Sequence, residues 1–319
     1  MGRGKYIMFL SNMTMAAQQV LILYLIVAVG FIADRLHVFG ESTAKRSNDL
    51  LFYIVTPAVM IQSFMNMEFK VETAGAFLIA FLCMSGTLTV ANLIAIPFFN
   101  KSGDNKAVFK YASGYGNMGY MALPLCQAML GDEGVFYCSA GVIAFNILSF
   151  THGIWVMTKD KAQGKASFDV KKIFFNPGVI SVLIGMPIFI FGIDLPNVVD
   201  SAVNYVASLN TPLAMIFFGT YIANTDLKTM FKVKENYLVA LLKLIALPLI
   251  MLAVLRLCGV TGVLLTACLI SASVPSANNT VMFSAKYGND TGVASKVVTL
   301  TSVLSVLTIP VMVALSKMV

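Results

Sequence analysis

Long apolar segments, separated by short polar connections, constrain this chain more than any other feature of its sequence. A transmembrane helix needs about 20 apolar residues to cross roughly 30 Å of hydrocarbon. Segments of that kind lie at 14–36, 43–64, 73–99, 107–130, 133–157, 173–193, 197–222, 235–256, 260–284 and 292–317. The sequence therefore predicts an all-α polytopic membrane protein with ten transmembrane helices.

Charged residues are too few to build a water-soluble surface. They make up 12% of the 319 residues, whereas soluble domains carry about 25%. A net charge of +7 would suggest a nucleic-acid partner for a soluble protein, but 16 of the 22 Lys and Arg residues fall in connections on one predicted side. Because basic residues accumulate in cytoplasmic loops, we expect a multi-pass protein of the cell membrane, with both termini outside and no nucleic-acid partner.

One polar connection divides the chain into two parts of similar length. It lies at 158–172, on the predicted cytoplasmic side, between a five-helix repeat at 1–157 and a second at 173–319. Because each half has an odd number of spans, the second half enters the membrane from the opposite side to the first. Inverted repeats of this kind are common among secondary transporters.

Proline positions support such a repeat. Pro124 and Pro275, in spans four and nine, are 151 residues apart, and Pro57 and Pro212, in spans two and seven, are 155 residues apart. Two pairs in corresponding spans favour a duplicated architecture over coincidence.

Spans four and nine have the most polar interiors in the chain. Span four contains the run KYASGYGNMGYMALPL, and span nine contains SASVPSANNT. Polar backbone at membrane depth is tolerated where it lines a cavity or is buried in protein, and interrupted helices in matching positions indicate a transporter binding site. The predicted binding residues are Gly116, Asn117, Met118, Pro124, Pro275, Ser276, Asn278 and Asn279.

The chemistry of these two segments favours an anionic ligand. A half-helix that begins after a break directs free N–H groups and a positive dipole end into the site, which suits a carboxylate. Asn117, Asn278 and Asn279 would add neutral donors and acceptors. The alternative is structural: the prolines and glycines kink packed helices, and the Asn and Ser side chains join neighbouring helices.

Four further residues are candidates for ion coupling or for support of the site. Lys243 lies close to the inner end of span eight, a position that favours a side chain extended to the cytoplasmic surface. His152, near the inner end of span five, is more typical of a packed histidine than of a proton carrier. Ser271 and Ser273, with Asn278 and backbone carbonyls, are the candidate ligands if sodium is coupled.

The sequence gives no support for an enzyme. It contains no His-Glu-x-x-His, no Gly-x-Ser-x-Gly and no phosphate-binding Walker loop. Its two histidines and five scattered cysteines cannot build a convincing zinc site. We therefore predict no metal centre and no cofactor, with sodium as the one open alternative.

Several motifs, taken in order, resemble the auxin efflux carrier family. They are GYGNMGYMALPL at 114–125, the following GDEGVFYCSAGVIAFNILSFTHG, NPGVISVLIG at 176–185, TPLAMIFFGTYIA at 211–223, SVPSANNTVMFSAKYG and LTSVLSVLTIPVMVAL. The resemblance covers essentially the whole chain. In two places the chain departs from the bacterial pattern: Met118 replaces a small polar residue, and Met121-Ala122 stands where glycine is common.

The resemblance implies a fold and a function. Members of this family have ten spans in two inverted repeats, with broken helices that cross at spans four and nine, and they move small organic anions such as auxins, malate or malonate. They are similar in fold to the bile-acid sodium symporters. The implied mechanism is an elevator, in which spans 1, 2, 6 and 7 form a scaffold and spans 3–5 and 8–10 carry the substrate, within a homodimer.

The resemblance also assigns residues and leaves alternatives. By position, Asn117, Pro124, Pro275 and Asn279 match the family's crossover residues, whereas Asn278 is an addition. The connection at 158–172 is too short for the long loop of plant auxin carriers, which argues against a plant-type exporter. The alternatives to an organic-anion transporter in the lipid bilayer are a sodium-coupled symporter of the bile-acid type and a membrane sensor or channel of the same fold.

Overall fold

A computed structural model describes residues 3–159, 175–225 and 227–318, and these residues are helical with no β-strand among them. The helices are α1 (Arg3–Arg35), α2 (Glu41–Leu50), α3 (Thr56–Met65), α4 (Val71–Phe99), α5 (Lys106–Gly114), α6 (Leu123–Leu148), α7 (Ile154–Thr158), α8 (Pro177–Phe191), α9 (Asn197–Ser208), α10 (Asn210–Ala223), α11 (Leu227–Met230), α12 (Lys234–Leu241), α13 (Leu247–Leu257), α14 (Gly262–Ser273), α15 (Asn279–Lys286) and α16 (Thr291–Ser316). Four π-helical segments join consecutive helices, at Leu51–Val55, Met118–Ala122, Ser149–Gly153 and Leu242–Ala246. Most of the predicted connection at 158–172 lies outside the described residues.

Six helical stretches within the described residues are long and apolar enough to cross a membrane. They are Met13–Arg35, Val71–Phe99, Met118–Thr158, Asn197–Ala223, Lys234–Leu257 and Thr291–Ser316. In the third of them, Gly131 adopts a left-handed φ of 65° and turns the chain where spans four and five were predicted to meet. The other apolar helices, α8 and α14, are shorter. The chain is therefore an all-helical integral membrane protein.

Proline positions explain three of the four π-helical segments. Pro57, Pro124 and Pro248 each follow the end of a π segment by two residues. Proline has no N–H to donate, and its ring clashes with the carbonyl of the preceding turn. A locally widened turn accommodates the ring while the helix continues.

Glycines allow α1 and α10 to pack with their backbones in contact. A Cβ on Gly30 would overlap the carbonyl oxygen of Ile216, and a Cβ on Gly219 would overlap that of Val27. Small residues permit this close approach of helices in a membrane, where packing replaces the hydrophobic effect as the driving force. At the ends of the same two helices, Arg35 Nη2 donates to the carbonyl oxygen of Ala223 at 3.1 Å.

Two sets of helices can be distinguished by their internal packing. In the first, α3 packs on α8, where Gly185 leaves room for the ring of Phe64, and α1 packs on α10. In the second, α4 meets α6 through the rings of Phe77 and Phe136, 4.9 Å apart, and α14 meets α16, where Ser316 Oγ donates to Thr266 Oγ1 at 3.2 Å.

The two sets meet along α1 and α16, and along the side of α6 that packs against α3 and α8. The Tyr24 hydroxyl of α1 donates to the carbonyl oxygen of Ser302 on α16 at 2.6 Å. Near the start of α6, Tyr120 packs against Phe217 of α10, with ring centroids 5.9 Å apart. The ring of Phe136 on α6 also packs 5.1 Å from those of Phe64 on α3 and Phe189 on α8, so apolar surface lies between the sets as well as within each.

We predict that Gly219→Ala destabilises the protein by about 1–3 kcal/mol, the usual cost of forcing a methyl group into a packed interface. The added Cβ must push α10 away from the Val27 carbonyl of α1. Thermal unfolding in detergent measures the effect. Gly86→Ala in α4 is the matched control, because a Cβ there meets no atom within 4 Å; equal melting temperatures for both variants would contradict the prediction.

Candidate functional site

Two interruptions of the helical backbone meet at one place. Helix α5 ends at Gly114 and helical structure resumes at Met118, while α14 ends at Ser273 and α15 begins at Asn279. Gly116 pairs with Ser276 in an antiparallel bridge. Residues 115–117 and 274–278 together form the crossing of the two interrupted helices.

Each interruption satisfies backbone groups of the other. The Asn117 N–H donates to the carbonyl oxygen of Pro275 at 2.8 Å, and the Ala277 N–H donates to that of Tyr115 at 2.9 Å. Ser276 adds two bonds, from its N–H to Thr301 Oγ1 at 3.2 Å and from its Oγ to the carbonyl oxygen of Ala112 at 2.8 Å. The crossing is thus a short pair of extended segments fixed by mutual hydrogen bonds.

Pro124 and Pro275 lie at different places relative to the crossing. Gly116 and Ser276 are the paired residues, so Pro275 lies inside its interruption, whereas Pro124 lies eight residues beyond Gly116 in the first turn of α6. The two prolines therefore do not mark matching places relative to the bridge, and the inverted repeat of their spans stays a prediction. Thr56 Oγ1 donates to Asn210 Oδ1 at 3.4 Å, so the helices that contain Pro57 and Pro212 meet close to these two prolines.

Asparagine side chains at the crossing keep unpartnered polar atoms. Asn117 is 5% exposed, and its Nδ2 has no hydrogen-bond partner among the described residues; the same holds for both Nδ2 and Oδ1 of Asn278. Asn117 Oδ1 accepts from the Tyr120 N–H at 3.4 Å. Because buried polar groups are nearly always hydrogen-bonded, these atoms are suited to a polar ligand.

The remaining predicted binding residues fall into two groups. Met118 and Ser276 are buried. The Ser276 hydroxyl donates its hydrogen bond to the backbone of α5. Asn279 begins α15 and is half-buried. The structure thus brings Gly116, Asn117, Met118, Pro275, Ser276, Asn278 and Asn279 together at the crossing, and it places Pro124 further along α6.

The expectation that Lys243 extends to the cytoplasmic surface is wrong. The side chain is 2% exposed, and its Nζ donates to the carbonyl oxygen of Ala272 at 2.9 Å. A Cβ on Gly116 would lie 2.8 Å from this Nζ. Lys243 therefore reaches the crossing itself.

The other three support candidates have partners in the described residues. His152 is half-buried; its Nδ1 lies 3.0 Å from the Tyr115 hydroxyl, and its ring packs against Trp155. Ser271 and Ser273 are fully buried, and their hydroxyls donate to carbonyl oxygens one turn earlier in α14, at 2.8 and 2.6 Å. These contacts give each residue a packing role.

Sequence reasoning missed Asn92 and two tyrosines, Tyr111 near the end of α5 and Tyr115 in the first interruption. Asn92 in α4 is 7% exposed, its Oδ1 has no partner among the described residues, and it fills the space beside Gly114. Tyr111 pairs its hydroxyl with Ser149 Oγ at 2.6 Å. A lone Asn within an apolar span was the signal for Asn92, since polar residues there are costly.

The fold and the crossing define a class: an integral membrane protein with two interrupted helices that meet inside the helical bundle. The family model described as "Membrane transport protein" matches residues 15–313. The chain accordingly belongs to this family, the auxin efflux carrier family.

Relatives in bacteria and archaea cover nearly the whole chain. An uncharacterized transporter of Methanocaldococcus jannaschii is 24% identical over 303 residues, which are 91% of this chain and 95% of the relative. A Rhizobium meliloti protein named "Putative malonate transporter" is 24% identical over 294 residues, 89% of this chain and 90% of its own. The uncharacterized transporter YfdV of Escherichia coli is 22% identical over 306 residues, 92% of this chain and 95% of its own.

The comparisons confirm two predictions from the sequence. The chain is a membrane transporter by family, and both the family and these relatives are named as transporters and not as enzymes. The resemblance to the auxin efflux carriers is confirmed as well.

We predict that Gly116→Ala lowers the melting temperature and that Gly119→Ala, three residues away, leaves it nearly unchanged. The Cβ at 116 would lie 2.8 Å from Lys243 Nζ and 3.1 Å from Val274 Cγ2, whereas at 119 it meets no atom within 4 Å. The overpacking is worth about 1–3 kcal/mol. Thermal unfolding of the purified variants measures it, and a harmless Gly116→Ala would disprove the close approach at the crossing.

Proposed function

We propose that this protein is a secondary transporter of a small organic anion, such as a mono- or dicarboxylate, which binds at the crossing. The observation that carries the proposal is the set of buried, unpartnered asparagine atoms on Asn117 and Asn278. A carboxylate accepts hydrogen bonds from amide groups. It also suits the positive ends of the two helices that begin at Met118 and Asn279.

The proposed architecture is ten spans in two inverted repeats, 1–157 and 173–319. The meeting of one interrupted helix from each half, joined through Gly116 and Ser276, supports it. Pairwise contacts at helix ends agree with the alternating topology. Arg35 meets Ala223, and Asn289 Nδ2 donates to the carbonyl oxygen of Met157 at 3.0 Å.

The proposed mechanism is elevator-type alternating access. Spans 1, 2, 6 and 7 correspond to the set of helices built on α1, α3, α8 and α10, and we assign them to a static scaffold. Spans 3–5 and 8–10 would move with the substrate. This is the division that the family resemblance implies, and the close packing of α1 on α10 and of α3 on α8 within the scaffold supports it. We further propose a homodimer through the scaffold, in the cell membrane with both termini outside.

The substrate class rests on the site and on one relative. The Rhizobium meliloti relative is named for malonate, a dicarboxylate. Met118 and Ala122 are buried near the crossing, and they leave an apolar wall where the family's bacterial pattern has smaller or more polar residues. This wall favours a compact anion with an apolar body over a heavily hydroxylated one.

We expect purified protein in liposomes, preloaded with unlabelled substrate, to exchange labelled malonate, malate or indole-3-acetate saturably. Counterflow of this kind needs no knowledge of the transport direction. Asn117→Ala and Asn278→Ala should each raise the apparent KM about tenfold, the effect of losing one hydrogen bond to a charged ligand. Asn224→Ala is the control, because Asn224 donates to Asp34 at the exposed ends of α10 and α1, within the scaffold and away from the crossing.

Other results would point elsewhere. Full-rate exchange with unchanged affinity in both crossing variants would reject the site. Exchange that requires sodium would favour the symporter of the bile-acid type. Binding without saturable flux would favour a sensor or a channel.

The elevator predicts that a link between the two sets stops transport and that a link within the scaffold does not. Cysteines at Tyr120 and Phe217 join the sets, since their rings lie 5.9 Å apart. Cysteines at Thr56 and Asn210, 3.4 Å apart at Oγ1 and Oδ1, stay within the scaffold. In a background without the five native cysteines, a short bifunctional thiol reagent should abolish exchange in the first pair alone. Loss in both pairs, or in neither, would contradict the elevator.

A further inference from the structure

A buried lysine caps the end of a half-helix at the crossing. Lys243 lies in the π-helical segment Leu242–Ala246, and its Nζ donates to the carbonyl oxygen of Ala272, in the last turn of α14. Single π turns inside helices are frequent at functional sites. The π-helical segment thus places the ammonium group of Lys243 at the C-terminal end of α14.

This position is electrostatically suited to a cation. The last turn of a helix has carbonyl groups without intrahelical partners, and the aligned peptide dipoles place a partial negative charge of about one half there. No carboxylate forms an ion pair with Lys243 in the part of the chain that the structure describes. The helix end is thus the counter-charge that the structure supplies.

Coupling cations occupy the same kind of place in other transporters. Unwound carbonyl groups and the C-terminal ends of half-helices coordinate Na⁺ or H⁺ in broken-helix transporters. We propose that the ammonium of Lys243 is a fixed cation at this place, so that the crossing holds its shape and binds its ligand without sodium. The consequence for transport rests on the proposed function, whereas the role at the helix end does not.

The first half of the chain offers a comparison within the same molecule. Asn92 lies five residues before Pro97, as Lys243 lies five residues before Pro248. Asn92 packs beside Gly114, the last residue of α5, as Lys243 contacts the last turn of α14. A neutral amide thus stands at one half-helix end and a cation at the other. The charge at position 243 is therefore a specific feature of the second half.

The test uses the cation response of the purified, full-length protein. The wild-type melting temperature should be equal in sodium chloride and in choline chloride of the same ionic strength. Lys243→Ala removes the side chain and should melt at a lower temperature, by roughly 5 °C or more. Propylammonium, which restores the missing atoms, should recover part of this loss saturably, and n-propanol, which lacks the charge, should not.

Lys243→Met is the matched control, because it fills the space without a charge and leaves no room for an added cation. It should respond neither to propylammonium nor to sodium. If Lys243→Ala does not purify in folded form, Lys243→Met decides the question, because it keeps most of the side-chain volume and should still melt well below the wild type.

Three results would overturn the inference. They are a sodium-specific rise in the wild-type melting temperature, a Lys243→Met variant as stable as the wild type, and a Lys243→Met variant that loses only the stabilisation by added malonate. The last would make Lys243 a ligand of the substrate. If the wild type exchanges no carboxylate at all, the proposed function fails, and the melting experiments still decide the role of Lys243.

Discussion

Two backbone hydrogen bonds, from Asn117 to Pro275 and from Ala277 to Tyr115, are the interaction on which the rest of the structure depends. An interrupted helix leaves N–H and C=O groups without partners, and within a bilayer no water replaces them, so each unpaired group costs several kcal/mol. Neither interruption could persist alone at this depth. Because each supplies the partners of the other, across about half of the chain, the site exists only when both halves are in place.

Two further features allow the helices around the crossing to pack: π turns that precede prolines, and glycines where α1 and α10 meet. A proline ring clashes with the preceding turn of a helix. The π turns before Pro57, Pro124 and Pro248 make room for each ring, so that the helix continues. In α1 and α10, Gly30 and Gly219 let the backbones touch. The turn before Pro248 has a second consequence, since it contains Lys243 and aims that side chain at the crossing. A local backbone adjustment thereby becomes part of the chemistry of the site.

The sequence predicted the helices and the place of the polar segments, because both follow from local properties. Apolar runs specify helices in lipid, and the clusters around Asn117 and Asn278 conflict with a continuous apolar helix. It did not predict the register of the crossing: spacing matched Pro124 with Pro275, whereas the fold pairs Gly116 with Ser276. The burial of Lys243 was missed for a related reason. Its distance from the helix end permits either a surface or a buried position, and the choice depends on Gly116 and Ala272, which are distant in sequence.

At the crossing, the groups suited to an anion and the group suited to a cation's place lie at opposite kinds of helix end. The unpartnered amide of Asn117 precedes a helix N-terminus, and Asn278 precedes another, so both lie where a negative ligand is favoured. Lys243 lies at a helix C-terminus, where a positive group is favoured. An anion at the first place and a cation at the second complement opposite dipole ends within one small region, so neither requires the other as a direct partner. The ammonium is part of the chain and stays in place, whereas under the proposed function the amide groups receive and release the anion.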